Sequence, residues 1–148
     1  MITHRPQPAG MSNAEGLLGS RVSRSSSTAL LAVGDLLVLI SFLVLGELQH
    51  NVNPVESPLV VADTIAPFLL GWVVASLAVG VYATDATRTV KTAIVRAASA
   101  WVLAAAVGLA LRATSLFHGN SPLSFALVVT SVGVVFFSTW RGLVAALR

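Results

Sequence analysis

The chain has 148 residues, of which 55% are hydrophobic and only 10% are charged, and its mean hydropathy is +0.85. A soluble domain of this length carries about a quarter charged residues, so the composition excludes an ordinary soluble domain. Because the sequence holds no cysteine, disulfide frameworks, thiol catalysis and cysteine metal sites are excluded as well. The net charge of +3 comes without a basic patch interleaved with aromatic residues, so we expect no nucleic-acid partner.

The polar N-terminal segment, residues 1–27, is rich in Ser, Arg and Gly and has no apolar periodicity, which predicts a flexible cytoplasmic tail. Either Met1 or Met11 could serve as the first residue. The apolar stretch 28–48 follows. It is too long for a signal peptide, contains Asp35 and lacks a small-residue cleavage site. We therefore interpret it as a membrane anchor and as the first transmembrane span.

Three further apolar segments follow, at about residues 60–83, 91–113 and 122–146. Each is long enough for a helix to cross a bilayer, which takes about 20 residues. The connections between them are short and contain turn-forming Pro, Gly, Asn and Asp. Short connections place consecutive helices antiparallel. The predicted fold is therefore all-α: an integral membrane four-helix bundle of up-down-up-down topology over residues 28–146.

The basic residues predict the orientation of this bundle. Eight of the nine lie at segment ends that the topology places on one side: Arg5, Arg21, Arg24, Arg88, Lys91, Arg96, Arg141 and Arg148. Because Lys and Arg concentrate on the cytoplasmic side of a membrane, we predict a multi-pass cell-membrane protein with both termini cytoplasmic. Arg112, at the outer end of the third span, is the exception and requires a physical reason.

Asp35 lies roughly 10 Å into the first span, at 1.5 Å per residue. A carboxylate that faces lipid is energetically costly, so we expect Asp35 to face the bundle interior. Two interpretations remain open. Asp35 either makes a structural hydrogen bond or ion pair with Arg88, Arg96 or Arg141, or it handles protons or cations.

Arg112 extends a row of small residues, Ala100, Ala104 and Gly108, spaced four apart on the third span. Small residues allow a second helix to approach closely, so this row predicts a packed face. Two interpretations of Arg112 remain open: a contact with an anion or substrate, or a structural clamp that pairs with outer acidic residues. The candidate partners for a clamp are Glu47, Glu56 and Asp63.

Further residues are predicted to line or shape the bundle interior. The polar ones are Asp35, His50, Asp63, Arg112 and Arg141. Those expected to support helix packing are Gly46, Pro67, Gly71, Trp72, Ala104 and Gly108. Trp72, Trp101 and Trp140 are also candidates for anchors at the membrane interface.

Glu47 and His50 form a Glu-x-x-His pair, which is half of the motif used by carboxylate-bridged metal bundles. Those sites need two such pairs, and the chain has one, so we expect no metal and no cofactor. The sequence contains no nucleophile elbow or phosphate-binding loop. Nothing in the sequence therefore argues for an enzyme.

Taken together, these residues resemble DUF3054, a family of small membrane proteins defined without a function. The shared features are Asp35, Gly46-x-x-x-His50, Pro67-Phe-x-x-Gly-Trp72, and Gly108-x-x-x-Arg112 through Gly119 and Phe125 to Trp140-Arg141. The resemblance covers about residues 30–142. The family pattern often has Arg after the glycine, where this chain has Glu47. The resemblance implies a four-helix membrane fold and brings no mechanism.

Two functions remain open at this point. The chain could be a structural or accessory subunit that packs against itself or a larger membrane complex. It could instead be a small transporter or channel with Asp35 and Arg112 along a polar path. Because four helices rarely enclose a pathway alone, transport would require a homo-oligomer. A membrane enzyme is a more distant third interpretation.

Overall fold

The computed structural model describes residues 21–117 and 120–148. This part of the chain forms four α-helices and no β-strand: α1 Ser26–Gln49, α2 Pro58–Val79, α3 Val90–Arg112 and α4 Leu123–Ala146. Each helix is long and apolar enough to cross a membrane. The predicted all-α class is thereby confirmed. Residues 1–20 of the predicted tail, together with His118 and Gly119, lie outside the described residues.

The helix ends follow from capping residues near the predicted boundaries. The Ser25 side chain accepts a hydrogen bond from the Thr28 backbone N–H at 3.2 Å, so α1 begins at Ser26, inside the predicted tail. The second helix ends at Val79, whereas the second span is predicted to run to about residue 83. Gly80 has a φ of 78°, a left-handed conformation that suits glycine and terminates the helix.

Aromatic rings form the centre of the core. Trp72 and Phe137 stack with their ring centroids 4.4 Å apart, and Trp101 stacks on Phe137 at 5.1 Å. Phe42 meets Trp101 edge to face at 5.1 Å, and Phe68 lies on Trp101 at 6.1 Å. Each of the four helices contributes at least one of these rings, so the aromatic cluster joins the whole bundle.

The prediction that tryptophans anchor the membrane interface is wrong for Trp72 and Trp101, whose exposed fractions are 2% and 0%. Trp101 satisfies its indole N–H inside the core by donating to the Val129 carbonyl at 3.1 Å. Trp140 is partly buried and lies against Gly34, where any added Cβ would collide with the indole ring. These rings fill space between helices, because the adjacent helix positions are small.

The row of small residues on α3 is a packed face. A Cβ at Gly71 of α2 would meet the backbone carbonyl of Ala104, and a Cβ at Gly108 would meet the ring of Phe68. Ala100 and Ala104 are both fully buried. The α2 and α3 backbones therefore approach as closely as small residues allow.

Two other predicted packing residues have different surroundings. Pro67 is buried within α2, as expected for a packing residue. Gly46 is exposed, and a Cβ built on it meets nothing within 4 Å. The prediction that Gly46 supports helix packing is therefore wrong. This glycine borders the apolar cavity that α1 and α4 line.

Residues in contact across neighbouring helices occur in opposite order along the chain. The pairs are Phe68–Gly108 and Gly71–Ala104 between α2 and α3, Ile94–Gly142 and Trp101–Gly133 between α3 and α4, and Asp35–Arg141 and Phe42–Phe136 between α1 and α4. The most extensive packing joins α3 to α2 and to α4. The first helix packs less extensively, against α4 and α2.

Candidate functional site

The most densely bonded polar group in the described part of the chain is an ion pair between Asp35 of α1 and Arg141 of α4. The two residues are 0% and 1% exposed. The Arg141 guanidinium donates two hydrogen bonds to the Asp35 carboxylate, from Nε to Oδ1 at 2.9 Å and from Nη2 to Oδ2 at 2.6 Å. Such bidentate pairing is the strongest and most directional form of an Arg–carboxylate contact.

Two further side chains donate to the same carboxylate. The Tyr82 hydroxyl donates to Oδ2 at 2.6 Å, and the Trp140 indole N–H donates to Oδ1 at 3.0 Å. The Trp72 indole N–H in turn donates to the Tyr82 oxygen at 3.2 Å. Each oxygen of Asp35 therefore accepts two hydrogen bonds, which meets the requirement that a buried charge be paired and hydrogen-bonded.

Arg141 makes two further contacts besides its ion pair with Asp35. Its Nη1 donates to the Val81 carbonyl at 3.2 Å, and its guanidinium carbon lies 5.2 Å from the centroid of the Tyr82 ring. This cation–π contact is one that Arg commonly makes. Arg141 thus ties α4 to the segment that follows α2, while its main contact ties α4 to α1.

Tyr82 remains the hydrogen-bond donor because its proton is hard to remove. It lies in the loop after α2, where burial raises the pKa of its hydroxyl well above the ordinary value and the Asp35 charge raises the pKa further. Tyr82 therefore donates to the Asp35 carboxylate together with Trp140 and Arg141. We refer to Asp35, Trp72, Tyr82, Trp140 and Arg141 as the carboxylate network.

Sequence reasoning found part of this network. Asp35 and Arg141 were both predicted as interior polar residues, and the structure selects Arg141 from the three arginines considered for Asp35. Tyr82 was missed. It is the only tyrosine in the sequence, but no local pattern indicates that its hydroxyl reaches a residue 47 positions away.

A second polar cluster lies beside the network, at the ends of α2 and α3. Arg96 makes a bidentate ion pair with Asp85, at 3.0 and 2.8 Å, and also donates to the Gly80 carbonyl at 2.9 Å. Arg21 donates to the Ala78 carbonyl at 2.9 Å. These bonds satisfy backbone carbonyls at the end of α2, which a helix terminus otherwise leaves without partners.

Arg112 is only 7% exposed, but its contacts differ from those predicted. Its Nε donates to the Ser121 hydroxyl at 3.2 Å, and its guanidinium carbon lies 5.0 Å from the centroid of the Phe125 ring. Within residues 21–117 and 120–148 the ion pairs are Arg141–Asp35 and Arg96–Asp85, so neither includes Arg112. Its Nη1 is buried and has no hydrogen-bond acceptor among these residues.

Two of the polar residues predicted to lie in the interior, His50 and Asp63, are less buried than expected. His50 is exposed, so the prediction that it faces the interior is wrong. It caps the end of α1, where its backbone N–H donates to the Glu47 carbonyl at 3.0 Å. Asp63 is partly exposed on α2, and Glu56 is exposed in the loop before it. The structure does not bring His50 and Asp63 into the carboxylate network.

An apolar cavity of about 270 Å³ lies between the C-terminal part of α1 and the N-terminal part of α4. Its wall includes Phe42, Leu43, Gly46, Phe125, Val129 and Val132, with Thr64 contributed by α2. Glu47, Gln49 and His50 border it where α1 ends. Asp35 and its partners do not line this cavity, so the cavity and the network are separate features.

The described residues contain no group of three or more His, Cys, Asp or Glu side chains placed to hold a metal ion. The carboxylate of Asp35 is fully engaged by protein donors, which leaves it no free lone pair for a cation. The arrangement can hold helices together, but it does not resemble the open coordination that a catalytic metal requires.

Comparison with known proteins gives one result. The profile of DUF3054, a protein family of unknown function, matches residues 32–144 of the chain. No curated protein and no solved structure matches the chain. The matched region contains both ends of the Asp35–Arg141 pair as well as Arg112 and the apolar cavity. Because the match covers most of its length, the chain belongs to the DUF3054 family.

Proposed function

We propose that the chain is a multi-pass protein of the cell membrane with up-down-up-down helices and both termini in the cytoplasm. Two observations support this proposal. The residue pairs across three helix interfaces run in opposite chain order. Eight of the nine basic residues fall on the side that would then be cytoplasmic. In this arrangement the carboxylate network lies in the cytoplasmic half of the bundle, and Arg112 lies in the outer half.

Its proposed role is that of a structural or accessory subunit, which packs against copies of itself or against a larger membrane complex. The observation that carries this role is the saturation of Asp35. Four hydrogen bonds from Tyr82, Trp140 and Arg141 occupy both carboxylate oxygens. A carboxylate that carries protons or cations must exchange its hydrogen-bond partners during each transport cycle. The partners of Asp35 are protein donors that occupy all of its acceptor sites.

A small oligomeric transporter is the second candidate, and Arg112 is the observation that favours it. A buried guanidinium with an unsatisfied donor is the kind of group that contacts anionic solutes inside membranes. In this alternative a polar path uses both Asp35 and Arg112, so Asp35 would have to exchange its present hydrogen-bond partners during transport. A homo-oligomer would be required to enclose that path.

Replacing Asp35 tests the two roles against each other. Asp35→Asn leaves Arg141 buried without its counter-charge, so we expect a loss of about 3–5 kcal/mol in the free energy of unfolding. Thermal unfolding in detergent measures this loss. Asp35→Leu combined with Arg141→Met should recover most of the stability, because it removes both charges from the buried site.

The matched control is Asp85→Asn, which breaks the other Arg–Asp pair at a site where Asp85 is 54% exposed. Exposed pairs contribute about 0–1 kcal/mol, so this variant should unfold close to the wild-type temperature. Proton and solute flux into liposomes gives the second measurement. An Asp35→Asn protein that retains wild-type stability but loses flux would refute the structural role and establish transport.

A further inference from the structure

Arg112 carries a donor that the described part of the protein leaves without an acceptor. A guanidinium presents five N–H groups and cannot lose its charge in a protein. Ser121 accepts from Nε and the Phe125 ring lies against the guanidinium carbon, but Nη1 is buried and unpaired. An unpaired charged donor in an apolar surrounding is energetically unfavourable, so this atom calls for an acceptor from outside the described chain.

The apolar cavity between α1 and α4 is suited to an apolar ligand. Its volume is about 270 Å³, and most of its wall consists of aliphatic and aromatic side chains of α1 and α4. Enclosed apolar cavities of about 150 Å³ take up small hydrocarbons, and this larger cavity is partly open to its surroundings. In a bilayer the abundant hydrocarbon is the lipid acyl chain, which can enter the cavity between α1 and α4.

Phe125 belongs to both features. Its ring lines the cavity and also lies 5.0 Å from the Arg112 guanidinium carbon. Arg112 does not itself line the cavity, and its Nη1 is buried. One molecule that combines a hydrocarbon chain with an anionic oxygen would fill the cavity and reach Nη1 if the Phe125 ring moves away from the guanidinium. Phosphate oxygens suit a guanidinium especially well, because the planar fork of N–H donors matches their geometry.

We propose that this region binds an anionic phospholipid, with one acyl chain in the cavity and a phosphate oxygen that accepts a hydrogen bond from Arg112 Nη1. This assignment goes beyond the accessory role and does not depend on it. Glu47 borders the same cavity and carries a negative charge, so it opposes an anionic headgroup. It therefore provides a variant whose effect should have the opposite sign.

The full-length protein is equilibrated in detergent with phosphatidylglycerol or with phosphatidylcholine of the same acyl chains. Native mass spectrometry then counts the lipid molecules retained per chain. We expect the wild type to retain phosphatidylglycerol in preference to phosphatidylcholine. Arg112→Gln should lower the affinity for phosphatidylglycerol about tenfold or more, as loss of a hydrogen bond to a charged partner does. Arg88→Gln, at an exposed position between α2 and α3, should leave it unchanged.

Gly46→Leu tests the cavity without touching Arg112. A Cβ at Gly46 meets nothing within 4 Å and Gly46 lines the cavity, so we expect a leucine there to occupy part of the open space. We expect this variant to fold and to lose most of the retained phosphatidylglycerol, which keeps the proposal testable even if Arg112→Gln unfolds. Glu47→Gln should strengthen retention.

Three results would overturn the proposal. The first is equal retention of phosphatidylglycerol and phosphatidylcholine. The second is unchanged retention in Gly46→Leu, or in a folded Arg112→Gln protein. The third is displacement of the lipid by millimolar inorganic phosphate alone, which would assign the arginine to a free anion and remove the acyl chain from the site.

Discussion

At the scale of single residues, Asp35 and Arg112 are both buried charges within the helices, but their surroundings differ. Asp35 accepts four hydrogen bonds, so its environment offsets the loss of hydration on burial. Arg112 has one hydroxyl acceptor and one aromatic ring, and one of its nitrogens has no acceptor in the described chain. The contacts of Asp35 therefore support the proposed structural role, and the unpaired nitrogen of Arg112 is the basis of the proposed phospholipid site.

Tyr82→Phe tests how much the loop after α2 contributes to the carboxylate network. It removes the 2.6 Å hydrogen bond to Asp35 and the acceptor used by Trp72. Hydrogen bonds to charged groups contribute about 1.5–3 kcal/mol, and we expect a loss of that size in thermal or denaturant unfolding.

Ser131→Ala is the control for Tyr82→Phe, because it also removes a hydroxyl. That hydroxyl is exposed, and among the described residues it donates to carbonyls of its own helix. Such a substitution changes stability by about 0.5 kcal/mol or less. Equal unfolding of the two variants would mean that the Tyr82 hydroxyl adds nothing specific to the network.

At the scale of helices, α3 is the central element because α2 and α4 both pack closely against it. The close approach of α2 depends on glycine, since a Cβ at Gly71 would collide with the Ala104 carbonyl oxygen. Backbone atoms cannot move aside as a flexible side chain can. The helix pair would therefore have to separate to admit even one methyl group.

Gly71→Ala should accordingly destabilise the protein by about 1–3 kcal/mol, the usual cost of overpacking. Gly46→Ala is the matched control, because Gly46 also lies within a helix but borders open space. Alanine favours a helix over glycine by about 0.5–1 kcal/mol, so this control should raise stability slightly. Thermal unfolding of the two variants side by side measures the difference. A Gly71→Ala protein as stable as Gly46→Ala would contradict the close α2–α3 packing.

At the scale of the whole molecule, the polar features divide between the two ends of the bundle. The end that holds the carboxylate network also holds the Arg96–Asp85 pair and the bond from Arg21 to the end of α2. The other end holds Arg112 and the apolar cavity. The first end therefore holds the hydrogen bonds and ion pairs that join the helices, and the second end holds the proposed phospholipid site.

Reporter fusions test the orientation of these two ends. Fusions at Ser57 and Asn120 should report an external location, because they lie in the loops opposite the basic residues. Fusions after Thr87 and Arg148 should report a cytoplasmic location and serve as internal controls. A cytoplasmic signal from Asn120 would contradict the proposed topology.

Much of the fold could be predicted because it depends on local properties of the chain. Helix number and class follow from segment length and hydropathy, and the small-residue face of α3 follows from the spacing of Ala100, Ala104 and Gly108. The end of α2 was misplaced by four residues because the apolar pattern continues through Val81 and Tyr82 while the backbone turns at Gly80. Hydropathy measures transfer to lipid and carries no information on backbone conformation.

Segment length, hydropathy and charge placement alone indicate a four-span membrane protein and mark Asp35 and Arg112 as exceptional, because a charge within an apolar helix is costly wherever it lies. Tertiary packing then decided what each charge contacts. Asp35 and Arg141 are 106 residues apart, and only the close approach of α1 and α4 selects this arginine over Arg88 and Arg96. Gly46 lies beside a cavity for a similar reason. The cavity depends on how the helices pack against each other, which the sequence of a single helix does not determine.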